Sequence, residues 1–224
     1  MLAPVKGPRI SQARSAVWAY VRSAPGTYLW LGILCATTVA VHHMSPAFEH
    51  EFLRRRSTNI HELSTHPVRV LAASAMWTGG GSWLPYAVLY SVFHAQAERW
   101  LGTVRWLVVC GAAHVLATLI SEGALAWAIA DGRAPASAVH TLDVGVSYAL
   151  AGVVGVLTYR IPTPWRYPYL AAVLLLFAYP LTAGATFTDL GHFVAVLVGL
   201  ACHPLVGGRQ RVRNPKETGA VGPG

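Results

Sequence analysis

The chain has 224 residues, of which 54% are hydrophobic and only 12% charged; ordinary soluble domains carry about a quarter charged residues. So little charge excludes a disordered protein and argues against a soluble globular domain. The formal charge is +8, but the basic residues cluster just outside the apolar blocks, so nucleic acid is not the expected partner. The blocks approach bilayer length, and the reading is an all-α, multi-pass integral membrane protein with the lipid bilayer as its solvent.

The predicted spans are residues 28–44, 83–96, 105–121, 144–158, 167–183 and 187–205, flanked by basic tails at 1–22 and 206–224 around a membrane domain at 23–205. The stretch 70–78 is too short to cross alone; it either extends the second span or dips into the membrane and returns. The apolar piece 124–130 is equally ambiguous. Within the outer loop 54–81, Ser57-Thr58-Asn59 offers capping chemistry for a short helix from Ile60. With the N-terminus inside, twelve Lys/Arg face inward and five outward (Arg54, Arg55, Arg56, Arg69 and Arg133). Both termini are therefore expected in the cytoplasm. Arginine far outnumbers lysine, a weak compositional pointer to a bacterial cell membrane.

Ionisable residues at membrane depth are functional candidates. His94 lies four residues before Glu98, a spacing that allows a helical pair. His114, in the middle of the third span, reads as a hydrogen-bonded packing residue. His192 has different company. It sits near the outer end of the sixth span, and Ser147 near the outer end of the fourth, each roughly 7–9 Å below its helix start. Ser147, Ala151 and Gly155 form one small-residue stripe; Gly191, Ala195 and Gly199 form another that His192 borders. Such stripes let membrane helices approach closely, as a Ser–His hydrogen bond requires. No paired-cysteine or paired-histidine spacing for a metal occurs within a span. A proton or metal carrier using His114, His140, Asp143, Asp189 and His192 remains an alternative.

These pieces resemble the rhomboid intramembrane serine proteases. The residues that carry the resemblance are Gly145-Val146-Ser147, His192-x-x-Ala195-x-x-x-Gly199 and the Glu98-x-x-x-Gly102 turn into the third span. The resemblance implies a six-span bundle with both termini inside, and cleavage of transmembrane substrates near the outer face. Ser147 would be the nucleophile and His192 the base, with no metal or nucleotide cofactor. Where the family has His-x-x-x-Asn on the second span, this chain has Ser82-x-x-x-Tyr86; the Ser82 and Tyr86 hydroxyls, or the Ser147 N–H beside Gly145, would supply oxyanion contacts in its place. Tyr148 replaces a small residue after the serine. Asp143, one turn above Ser147, or Asp189, three residues before His192, would orient the imidazole. The same grooves would equally serve an inactive rhomboid-fold protein that binds transmembrane segments.

Overall fold

The computed structural model describes residues 9–79 and 81–206, with side chains from residue 12. Among them the chain is all-helical. Helix α1 (Arg9–Arg22) turns by 96° into α2 (Pro25–His42). Part of the expected basic tail is thus a helix, ended where Pro25 opens the next one. The loop that follows folds as three short helices, α3 (Pro46–Arg54), α4 (Ile60–Thr65) and α5 (Pro67–Ser74). Asn59 caps α4, its side chain accepting from the Glu62 N–H at 3.0 Å, as the sequence implied. The α5 helix is a separate element and does not extend the second span.

The second block forms α6 (Trp83–Leu89), a π turn over Tyr90–His94, and α7 (Ala95–Leu101). Gly102, at φ +87°, makes the sharp turn into α8 (Thr103–Ala130). The piece 124–130 continues this same helix, which at 28 residues is about 42 Å long. The last helices are α9 (Val146–Leu157), α10 (Arg166–Thr182) and α11 (Phe187–Ala201). Helices therefore overlie all six predicted blocks. Among the described residues, only α8 is by itself long and apolar enough to cross a bilayer, with α1 and α2 qualifying as a bent pair.

At the centre lies α9, buried on every side from Tyr148 to Leu157 except at half-buried Leu150. An all-round apolar helix has no polar face to offer water, and α8 and α11 pack against it. The opposite margin is α10, where Val173 is buried while Leu175, Leu176 and Tyr179 are exposed.

Two polar anchors hold the frame. Glu98 accepts from the N–H groups of Gly26 and Thr27 at 2.9 and 2.7 Å, and from the Thr27 and Thr103 hydroxyls at 2.8 Å each. It thereby satisfies the open first turn of α2 and ties it to α8. His94 does not pair with Glu98; its Nδ1 accepts from the Trp106 indole at 3.1 Å while its ring stacks on Tyr90.

Candidate active site

Helices α9 and α11 approach each other through glycine. A Cβ on Gly199 would run into the Gly152 carbonyl, and one on Gly155 into the backbone of Val196. Ala195 packs between these levels, so the sixth-span stripe Gly191–Ala195–Gly199 faces α9 as its spacing predicted. On α9 the stripe residue Gly155 meets α11 and Ala151 lies in one buried cluster with Ala195 and Val196, while Tyr148 and Gly152, outside the predicted stripe, also meet α11.

The consequence falls on the outer turn. Gly191 has no side chain because the Tyr148 ring fills that space, 2.5 Å from where a Cβ would stand. His192 meets the same ring edge-on, with centroids 5.0 Å apart, and Phe177 of α10 lies at 6.3 Å. Ser147, half-buried, is the residue immediately before Tyr148. Among the described residues its hydroxyl makes no hydrogen bond, and none joins Ser147 to His192. Helix α9 begins only at Val146, so Ser147 lies in its first turn and not roughly 7–9 Å down as expected, whereas His192 lies in the second turn of α11; the two are not in hydrogen-bond contact.

Asp143 is buried, and its partner is Tyr148 rather than His192. The tyrosine hydroxyl donates to Oδ1 at 3.0 Å. The Thr58 hydroxyl reaches both Oδ2 and the Asp143 carbonyl oxygen at 3.2 Å, and the Asp143 N–H donates to the Ser57 hydroxyl at 2.6 Å. Burial raises the Asp143 carboxyl to about 6, against the Tyr148 and Thr58 hydrogen bonds that favour its ionised form. His140 does not pair with Asp143; it is exposed, stacked on His61 and 3.4 Å from an Arg54 nitrogen. Asp189 closes a capping box, its Oδ2 accepting from the Thr186 N–H at 2.9 Å and the Thr186 hydroxyl at 2.6 Å. It therefore fixes the start of α11 and acts on His192 only through its nearby charge.

Gly145 has a packing role that the spacing did not show: a Cβ there would fall within the His114 ring. His114 Nε2 donates to the Leu71 carbonyl at 2.9 Å, which leaves Nδ1 as an unpartnered acceptor. Four and eight residues further along α8, Thr118 Oγ1 and both Glu122 carboxylate oxygens are also buried without partners. Glu122 is 2% exposed and lies within electrostatic range of Asp143. The sequence reading ended the third span at 121 and so left Glu122 outside it. The signal was present, because the apolar piece 124–130 made the longer helix legible. Tyr86 packs in a cluster with Leu31, Leu34, Tyr90 and Val146, away from any partner for its hydroxyl. The second-span hydroxyl closest to the serine turn is that of Tyr90, which donates to the Val146 carbonyl at 3.4 Å. Among the described residues no three His, Cys, Asp or Glu side chains gather as a metal site.

The family model described as rhomboid-like protein matches residues 19–212. The chain belongs to the rhomboid-like family. No curated protein and no solved structure matches it. Family membership makes this rhomboid-like chain an integral membrane protein in contact with lipid, and gives a physical sense to the exposed apolar side chains of α10 and α8. In hydrocarbon they carry no desolvation cost, and the glycine-lined approach of α9 and α11 becomes the main packing device.

Proposed function

We propose that this rhomboid-like protein is an intramembrane serine protease of the bacterial cell membrane, with six spans and both termini in the cytoplasm. The observation that supports the reading is the glycine-lined approach of α9 and α11, which sets Tyr148, the neighbour of Ser147, against His192. In this reading Ser147 Oγ attacks a substrate carbonyl exposed by local unwinding of a transmembrane helix. His192 takes the hydroxyl proton and returns it to the leaving amine; water then hydrolyses the acyl-serine ester with the same imidazole as base. Tyr148 holds His192 edge-on, and Asp143 fixes the Tyr148 hydroxyl. The ligand-free spacing of serine and histidine is compatible with this, because catalytic hydrogen bonds commonly tighten only in the substrate complex.

The test is fluorophosphonate labelling of the detergent-purified protein. Labelling that is lost in both Ser147→Ala and His192→Ala is the expected result. Absence of labelling in folded protein, beside an active rhomboid protease as control, overturns it.

A second reading, a non-proteolytic binder of transmembrane segments, is favoured by one observation. Tyr148 occupies the seat facing His192, and the Ser147 hydroxyl is unpartnered. Under that reading membrane partners co-purify equally with the wild type and with Ser147→Ala.

A further inference from the structure

The loop between α2 and α6 encloses a cleft of about 770 Å³ whose lining includes Arg54, Arg55, Arg56, Arg69, His61 and His66. Charge in it is only partly matched. Arg54 and Arg55 share the single carboxylate of Glu51 at 2.7 and 2.6 Å, and Arg69 pairs with Glu62 at 3.0 Å. Among the described residues Arg56 forms no ion pair. Its guanidinium is held in place by stacking over Phe52 at 3.5 Å and near Trp77 at 5.7 Å, with one nitrogen donating to the Phe52 carbonyl. Arg55 and Arg69 lie close enough to repel it. Four guanidiniums against the two carboxylates that touch them leave two positive charges uncompensated. A half-buried, fixed guanidinium flanked by like charges is relieved by an anion with several acceptor oxygens, and a phosphate fits the planar fork of arginine.

The helices beside the cleft indicate where that phosphate comes from. Phe48 on α3 is 58% exposed and Val68 on α5 is 81% exposed. Both are large apolar side chains on the same loop of a membrane protein, placed to meet acyl chains while the arginines meet a headgroup. We propose that this cleft binds the phosphate of an anionic phospholipid headgroup, with Arg56 as the central contact and Arg69 and Arg55 beside it. The site is separate from the Ser147–His192 region and does not depend on whether the protein is a protease.

The test is native mass spectrometry of the full-length protein released from micelles containing phosphatidylglycerol or phosphatidylcholine, with inorganic phosphate as a third arm. Phosphatidylglycerol is expected to be retained in preference to phosphatidylcholine. An Arg56→Ala/Arg69→Ala double variant should lose about tenfold or more in that affinity, at roughly 1 kcal/mol per basic residue. Arg133→Ala, on a different loop, should lose none. Arg56→Lys keeps the charge and the stacking but not the fork, and should show an intermediate loss; it serves as the readout if the double variant does not fold. Equal retention of the two lipids, unchanged retention in Arg56→Lys together with any folded double variant, or binding of inorganic phosphate as tight as that of phosphatidylglycerol overturns the proposal.

Discussion

Asp143 is the residue whose environment most constrains its chemistry. Its carboxyl is raised from an ordinary value near 3.8 to about 6 by burial, so the folded state holds its proton to higher pH than the unfolded chain. Its stabilising contribution is complete below about 4 and is lost as pH rises through about 6. Thermal melting in detergent across pH 4–7 should show that loss, and Asp143→Asn should flatten it, because the amide cannot ionise. Tyr148→Phe removes the donor at 3.0 Å from Oδ1. It should cost about 1–3 kcal/mol at neutral pH, where the carboxylate is left short of a partner, and should move the melting inflection to higher pH. The sequence offered Asp143, or Asp189, as a partner for the imidazole, and in the fold Asp143 is held by Tyr148, Thr58 and Ser57 instead. Spacing along one helix could not reveal that Ser57 and Thr58, some 85 residues earlier, would hold it. Small residues occur on both adjacent faces of α9, so composition alone did not show that Tyr148 and Gly152 would also meet α11.

At the level of the helices, some glycines are pressed against a neighbouring helix and others face open space. Gly152, Gly155 and Gly199 have no room for a Cβ, while Gly32, Gly111 and Gly123 have open space. Gly199→Ala and Gly155→Ala should therefore lower thermal stability, at about 1–3 kcal/mol each for an overpacked contact. Gly111→Ala and Gly123→Ala should be neutral or slightly stabilising through helix propensity. The same pattern in all four variants would remove the distinction. Glu98→Ala should be more damaging than any of these, since it strips the acceptor from four donors at once, two of them N–H groups of the first turn of α2. Helix positions were legible because an apolar block between basic residues and glycine or proline punctuation leaves few alternatives. The His94–Glu98 pairing was not, because the geometrically allowed partner lost to Thr27 and Thr103, which are distant or on the far side of a turn.

On the scale of the whole molecule, the hydrogen bonds sort the arginines into two ends. At one end Arg160 donates to the Gln96 side chain at 2.6 Å, Gln96 donates to the Tyr20 hydroxyl at 3.1 Å, and Arg99 lies over the Tyr20 ring at 4.8 Å. At the other, Arg54 approaches His140 and Thr58 bonds to Asp143, joining the loop after α2 to the loop before α9. Basic residues assigned to the inner face by counting charge thus meet in space, and two of the loops assigned to the outer face also meet. The contacts separate the two sets into two ends, and which end faces the cytoplasm belongs to the proposed topology. The Arg54–Arg56 run is the exception a pure charge count would turn inward; it is tied down locally by pairing with Glu51 and by aromatic stacking. Reporter fusions decide the matter. A cytoplasm-dependent fluorescent reporter should be active at both termini, and an export-dependent phosphatase should be active after Arg133 and inactive after Arg160. An active phosphatase at either terminus would invert the bundle and place the Ser147–His192 level at the inner face, where substrates and water would have to approach from the cytoplasm.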